Sequence, residues 1–139
     1  MKTINVGLDV HGVIDAYPNL FKEATRRWER AGHEIHILTG RETDLVTVKL
    51  QRFEITYHHI FSIVDYNLGI GTKMWNNDSR GSGWWMEDDL WIKSKGIYCK
   101  QVHLDVHFDN EARYIEWFPD YCTFVLVPPT GFADLKILF

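Results

Sequence analysis

The chain has 139 residues, of which 45% are hydrophobic and 24% charged, and its formal net charge is −4 at pH 7. This composition excludes a disordered or collagen-like chain, and two cysteines are too few for a disulfide framework. The negative charge argues against binding of nucleic-acid polymers, which requires a basic face, and no apolar run is long enough to span a membrane. We expect one domain over residues 1–139, in a reduced, cytoplasmic setting.

The first half of the chain alternates short apolar runs with amphipathic segments. A buried strand is predicted over Ile4–Asp9, followed by a helix over Tyr17–Ala31 whose apolar residues form one stripe. A second strand is predicted over Ile35–Thr39 and a second helix over Glu42–Arg52. The run His59–Asp65 predicts a third strand.

The second half begins with a segment rich in glycine and asparagine, Asn67–Gly83. It predicts a long loop that serves as a lid, a binding loop or an insert, and with the tryptophans that follow it forms a Gly/Trp-rich insert at about residues 67–86. The remaining predicted elements are a helix around Glu87–Lys95, a strand over Val102–Asp109, a short helix over Glu111–Phe118 and a last strand over Thr123–Val127. Strands and helices in this alternation predict an α/β fold, a three-layer, doubly wound, Rossmann-like sheet that is mainly parallel.

Polar residues stand at the ends of three predicted strands: Asp9, Thr39 and Asp109. In an open parallel sheet, ligands bind outside the carboxyl ends of the strands. Two carboxylates and a hydroxyl at that edge suit a magnesium ion and a phosphate group, and Asp9 suits a nucleophile.

Three short stretches resemble the motifs of one family. LDVHGVI (Leu8–Ile14) resembles the first motif of the haloacid dehalogenase superfamily, an apolar strand that ends in Asp-x-Asp-Gly. HILTGR (His36–Arg41) resembles its second motif, and HFDNE (His107–Glu111) its fourth. The matches occur in order at predicted strand ends, and the short spacers look most like small, single-domain phosphatases of the nucleotidase type. The resemblance implies five strands in the order of that superfamily, without a large cap domain.

The resemblance also implies an activity: a magnesium-dependent phosphatase that hydrolyses a small phosphomonoester, such as a nucleotide. Asp9 would be the nucleophile and would form an aspartyl-phosphate. Asp9, the carbonyl of His11, Asp109 and Asn110 would hold Mg²⁺. His11 and Asn110 replace two acids of the family pattern, and His11 would take over the proton transfer of the first.

These two replacements keep a second function open, a catalytically impaired protein that binds a phosphorylated ligand or a partner. A third alternative keeps Asp9 as nucleophile with a phosphonate or a haloacid as substrate. These alternatives differ in their products, because a phosphatase releases phosphate and a dehalogenase releases halide.

Further residues of the implied site bind the phosphoryl group and the substrate. Thr39 and the backbone N–H groups of Gly12 and Gly40 would donate hydrogen bonds to the phosphoryl group, and Arg41 would bind substrate. The lysine of the third motif has a variable position. By spacing Lys95 is the first choice, Lys93 the second and Lys73 the third.

Two aromatic and histidine-rich regions allow other interpretations. Trp84 and Trp85 would stack on the substrate as part of a lid or form the interface of a homodimer, whereas Trp91 is expected in the core.

A zinc site at His33 and His36, or along the strand at His103, Asp105 and His107, is disfavoured because no cysteine or glutamate pattern completes a tetrahedron. His103 and His107 are instead expected to be partly buried and hydrogen-bonded to Asp105 or a backbone carbonyl.

Overall fold

The computed structural model describes residues 2–76 and 83–129. Its strands are β1 (Asn5–Leu8), β2 (Glu34–Thr39), β3 (His59–Ser62), β4 (Met74–Asn76), β5 (Trp84–Met86), β6 (Val106–Asp109) and β7 (Thr123–Leu126). Its helices are α1 (Pro18–Arg30), α2 (Thr43–Arg52), α3 (Ile63–Gly69) and α4 (Asp88–Val102), with a short π-helical turn at Val10–Ile14 and a 3-10 helix at Ala112–Trp117. No described helix combines the length and the apolar character that crossing a membrane requires.

Five strands form a parallel sheet in the order β3-β2-β1-β6-β7. The central strand β1 pairs with β2 on one side and β6 on the other. Between β1 and β2 the chain forms only the π-helical turn and α1, so no large cap domain is inserted there. This architecture confirms the predicted α/β, Rossmann-like fold.

Helices cover both faces of this sheet because successive strand residues point to opposite sides. On one face, Leu8 and Ile37 pack in a buried cluster with Phe21 of α1 and Leu50 of α2. On the other face, a second cluster lies under α4 and the 3-10 helix and comprises Leu38, Phe61, Ile63, Met86, Cys99, Leu104, Tyr114, Phe118 and Cys122. Each fully buried side chain of this size contributes roughly 1.5–3 kcal/mol, so the two clusters make the sheet a rigid support for its edges.

The prediction of a third strand over His59–Asp65 is correct for its first four residues and wrong for the rest. The strand ends at Ser62 and α3 starts directly afterwards at Ile63. The Ser62 hydroxyl accepts a hydrogen bond from the backbone N–H of Asp65 at 3.1 Å, which satisfies a free donor at the helix start. The pattern Ser-x-x-Asp is the signal that could have shown this boundary.

The prediction of a structureless loop over Asn67–Gly83 is wrong for residues 67–69 and 74–76 and correct for residues 70–73 and 83. Helix α3 continues to Gly69, and β4 pairs antiparallel with β5, with Trp75 opposite Trp85. Residues 77–82 of the predicted loop lie outside the described residues. The insert is therefore built around a two-stranded ribbon that carries Trp85.

Helix α4 is longer than predicted and displaces the start of the next strand. It runs from Asp88 to Val102 instead of ending near Lys95, and β6 begins at Val106 instead of Val102. The helix ends at His103, whose φ of 57° is left-handed, and the N–H of Leu104 bonds back to Cys99 O at 3.1 Å.

Candidate active site

The three predicted strand-end residues meet at the carboxyl edge of the sheet. Asp9 directly follows β1, while Thr39 ends β2 and Asp109 ends β6. Because β2 and β6 are the two neighbours of β1, their carboxyl ends bring these side chains together. All three residues are buried.

Lys95 from α4 joins the two carboxylates. Its Nζ lies 2.7 Å from Asp109 Oδ2 and 3.2 Å from Asp9 Oδ1, and the side chain is only 2% exposed. Asp109 Oδ2 also lies 2.9 Å from Nε2 of His107, and its Oδ1 accepts a hydrogen bond from the backbone N–H of Glu111 at 3.0 Å. Asp109 is therefore fixed from three directions.

The other two candidate lysines lie elsewhere. Nζ of Lys93 is 4.9 Å from the centre of the Trp117 ring, a cation–π contact. Lys73 is exposed just before β4. Of the three, the structure brings Lys95 to the carboxylates.

The two carboxyl groups of this network have pKa values shifted in opposite directions. Burial raises the pKa of Asp9 to about 7, because the attraction of Lys95 offsets only part of the lost hydration and the charge of Asp109 adds to the rise. Burial also acts to raise the pKa of Asp109, but Lys95 and His107 outweigh it and hold that pKa below its ordinary value. Burial acts to lower the pKa of Lys95, and the two carboxylates outweigh it, so the pKa is raised.

The ionised network consequently has two carboxylates for one ammonium. Burial lowers the pKa of His107 and keeps the imidazole neutral at neutral pH, so it adds no positive charge. When Asp9 is ionised, one negative charge of this network has no compensating cation within it among the described residues.

The side chain of Asn110 supplies the second feature that fits a cation. In one orientation its amide nitrogen donates hydrogen bonds to His11 O and Asp9 Oδ2, each at 3.1 Å. In the other orientation the amide oxygen takes that place, and an oxygen of Asn110 then lies 3.1 Å from each of these two oxygens. Neighbouring oxygens around an octahedral Mg²⁺ are about 3 Å apart. The donor set and the excess negative charge therefore fit a hard divalent cation.

In the turn after Asp9, Gly12 and His11 do not point to the positions that their expected roles in phosphate binding and proton transfer require. Gly12 has φ +78°, which favours glycine, and a Cβ there would come within 2.1 Å of Asn110 Nδ2, so any larger residue must displace the Asn110 amide. Its N–H donates to Asp15 Oδ1 at 2.7 Å instead of pointing to a free phosphate position. The His11 side chain is 88% exposed, and its Nδ1 lies 3.2 Å from Asp15 Oδ2. Asp15 therefore binds both the Gly12 N–H, which the resemblance assigns to phosphate binding, and the His11 imidazole, which it assigns to proton transfer.

The residues at the end of β2 form one wall of the site. Oγ1 of Thr39 accepts a hydrogen bond from the backbone N–H of Arg41 at 3.2 Å. Gly40 lies against the indole of Trp91, because a Cβ on Gly40 would come within 2.6 Å of Trp91 Cζ2. Trp91 is only half buried, so it both packs against the second cluster, as expected for core, and faces the site.

A pocket of about 580 Å³ opens over these residues. The predicted site residues that line it are Asp9, His11, Thr39, Gly40, Arg41, Trp84, Trp85, Lys95 and Asn110. Asp109 is not in the lining because it is fully buried against Lys95. Trp84 and Trp85 therefore form part of a pocket wall.

The pocket also contains residues that sequence reasoning missed. Lys49 of α2 and Arg113 add positive charge, and Trp91 donates an indole hydrogen bond to the hydroxyl of Tyr114 at 3.1 Å. The ring centres of Trp85 and Trp91 are 5.2 Å apart. Arg113 follows the HFDNE stretch closely, which is a signal that could have found it, whereas nothing in the sequence separates Lys49 from a solvated lysine.

The histidines of the disfavoured zinc interpretation lie apart from this pocket. His33 Nδ1 accepts a hydrogen bond from the backbone N–H of Ile4 at 3.1 Å. His103 is exposed and stacks on Tyr121, with ring centres 4.1 Å apart, so its expected partial burial is wrong. His107 is fully buried, and its partner is Asp109.

Comparisons with protein families, with curated proteins and with solved structures find no match to this chain. Any assignment therefore depends on the residues themselves and on their geometry. Fold and site together define an α/β protein with a buried carboxylate–lysine network at the carboxyl edge of a parallel sheet and a pocket above it.

Proposed function

We propose that this protein is a magnesium-dependent phosphatase of the haloacid dehalogenase type that hydrolyses a small phosphomonoester. The observation that supports the proposal most is the convergence of Asp9, Lys95 and Asp109 below a pocket, beside the oxygen atoms of His11 and Asn110. This arrangement combines a nucleophile, a fixed cation and ligands for a divalent ion.

Asp9 is the nucleophile of the proposed reaction. Its carboxylate attacks phosphorus in line and the ester oxygen leaves, which gives an aspartyl-phosphate; water then attacks phosphorus, releases phosphate and restores Asp9. Lys95 orients Asp9 Oδ1 and compensates the charge of the phosphoryl oxygens. Thr39 offers its hydroxyl to the same oxygens.

Asp9, the carbonyl of His11 and Asn110 would hold Mg²⁺. Asp109, whose two oxygens are bonded to Lys95, His107 and the Glu111 N–H, would join them only by exchanging one of these bonds for the ion. When bound, this ion supplies positive charge that stabilises the transferring phosphoryl group. The protein's own part is to keep the ligands in place, and Gly12 does this for Asn110, because it leaves room for the amide.

The pocket walls suit an anionic substrate with a planar group. Arg41 gives the pocket positive charge, and Trp84 and Trp85 give it an aromatic surface. Lys49 and Arg113 also line it, but Lys49 lies 3.5 Å from Asp15, and Arg113 lies 3.5 Å from Glu111 and 3.7 Å from Asp88. Aromatic side chains stack on nucleobases with about 1–3 kcal/mol per base. A nucleotide therefore fits the lining better than an aliphatic phosphate does.

A phosphate-release assay on a panel of phosphomonoesters with Mg²⁺ tests the proposal. We expect turnover by the natural protein, at least a thousandfold loss in Asp9→Asn, and no loss in Asp120→Asn, where an exposed acid outside the pocket is changed. Phosphonates and haloacids in the same panel, with halide release measured, test the changed-substrate alternative. If no phosphate is released from any monoester, the phosphatase proposal is wrong.

A second candidate function is ligand binding without turnover, and the exposed position of His11 favours it. Within residues 2–76 and 83–129, the exposed His11 is bonded to Asp15 and has no contact that would aim it at a leaving oxygen. The double variant His11→Asp, Asn110→Asp separates the two functions. A large gain of hydrolysis would favour the binding protein, and a loss would assign His11 to the reaction. Binding of beryllium fluoride with Mg²⁺ by an inactive natural protein would further support binding without turnover.

A further inference from the structure

A separate polar cluster lies at the opposite, amino end of the same sheet. Glu34 is the first residue of β2, and His59 is the first residue of β3. His36 stands two residues after Glu34, on the same face of β2, and pairs in register with His59. Three metal-ligating side chains from two adjacent strands therefore share one face of the sheet.

The donor atoms of these three side chains are close together. His59 Nε2 lies 3.4 Å and His36 Nε2 lies 3.8 Å from Glu34 Oε2. The two imidazole rings stack with centres 4.5 Å apart, and all three donor atoms lie within 4.8 Å of one another. Two ligands of a tetrahedral zinc ion at about 2.0–2.1 Å are about 3.4 Å apart, so the Glu34–His59 distance already matches this spacing and the ring of His59 must move closer to His36 to complete it.

His36 is the fixed member of the cluster and carries an unsatisfied atom. The residue is 3% exposed, and its Nε2 is buried without a hydrogen-bond partner among the described residues. A buried nitrogen in this state costs free energy that a ligand would recover. The atom points to a missing partner beside Glu34 and His59.

Tyr98 of α4 holds the other nitrogen of the same ring. Its hydroxyl oxygen lies 2.7 Å from His36 Nδ1. When Nδ1 carries the proton and donates it to Tyr98, Nε2 presents its lone pair to the cluster, which is the arrangement that outer partners impose on metal-bound histidines.

We infer that Glu34, His36 and His59 form a binding site for a divalent transition metal ion of the zinc type, with solvent in the remaining position. Two imidazoles and one carboxylate are ligands that suit zinc and its neighbours, whereas magnesium prefers oxygen ligands alone. Glu34 and His59 are exposed, with side chains 58% and 49% accessible, so they can rotate onto an ion while His36 stays fixed. This site is independent of the proposed phosphatase function.

Titration of metal-free protein with zinc chloride, in competition with a chromogenic chelator and with excess Mg²⁺ present, tests the inference. We expect one zinc ion per chain, and a loss of affinity of more than about tenfold in both Glu34→Gln and His59→Ala. Both changes are at exposed positions, so the fold should survive.

Two controls make the result specific. His103→Asn removes an exposed histidine that is not a member of the cluster, and asparagine tolerates the left-handed backbone there, so zinc affinity should stay unchanged. Asp9→Asn should also keep zinc binding, because it alters only the carboxyl edge. The inference is overturned if the natural protein does not bind zinc, or if Glu34→Gln and His59→Ala bind it as tightly as His103→Asn.

Discussion

The two ends of the parallel sheet hold their polar side chains in different ways. At the carboxyl end, Asp109 is fully buried and is bonded to Lys95, His107 and a backbone N–H. At the amino end, only His36 is buried, and its partners Glu34 and His59 are exposed. A network that is closed and buried is expected to resist change strongly, whereas an open cluster tolerates it. The difference between the ends can be measured by substitution.

The largest expected effect follows removal of the buried cation. Lys95→Met leaves two buried carboxylates without their partner, and the free energy of unfolding should fall by about 3–5 kcal/mol, with loss of any phosphatase activity. Denaturant unfolding measures the first effect and phosphate release the second.

Lys93→Met is the matched control, two residues earlier on the same helix. Its ammonium contacts only the exposed face of Trp117 among the interactions described, so we expect a change of about 1 kcal/mol or less. Equal losses in the two variants would contradict the view of Lys95 as the centre of a closed network.

The second prediction concerns the turn at Gly12. Gly12→Ala must adopt φ +78°, which costs about 1–2 kcal/mol, and its Cβ must displace the Asn110 amide. The concentration of Mg²⁺ needed for half-maximal activity should therefore rise by about tenfold or more.

Gly71→Ala separates these two effects. Gly71 has the same φ of +78°, but a Cβ there meets no atom within 4 Å. We expect a similar loss of unfolding free energy and no change in the Mg²⁺ requirement. An unchanged Mg²⁺ requirement in Gly12→Ala would argue against Asn110 as a metal ligand.

The third prediction tests the aromatic wall of the pocket. Trp85→Ala should weaken the binding of a nucleotide by about 1–3 kcal/mol and leave an aliphatic phosphate almost unaffected. Trp75→Ala is the control, since Trp75 pairs with Trp85 across the ribbon but does not line the pocket. Equal losses for both substrates would show that Trp85 acts through the ribbon instead of stacking on a base.

Sequence reasoning could predict the carboxyl end better than the amino end, for a physical reason. Asp9, Thr39 and Asp109 each follow an apolar run, and any parallel sheet gathers the residues that end its strands. The cluster of His36 and His59 instead depends on which residues of two strands pair in register, and a single strand does not encode that register.

The direction of a side chain in a turn likewise cannot be predicted from the sequence motif. The position of His11 follows from backbone angles of φ −72° and ψ 125°, then from the left-handed Gly12, and from capture by Asp15. A motif of residue types contains none of these angles. The boundary at Ser62 was readable in principle, because its capping pattern with Asp65 is local, but the apolar run concealed it.

The smallest expected effect belongs to the amino end. His59→Ala removes an exposed ring that stacks on His36 and contacts Glu34, and in the presence of a chelator the free energy of unfolding should change by only about 0.5 kcal/mol or less. Phosphatase activity should stay the same, because His59 lies at the amino end of β3, whereas Thr39 pairs with Ser62 at the carboxyl end of that strand. Denaturant unfolding and phosphate release, measured beside Lys95→Met, compare the two ends directly. A loss as large as that of Lys95→Met would mean that the amino end is already a closed network without metal, and that the stack on His36, rather than an ion, satisfies the buried ring.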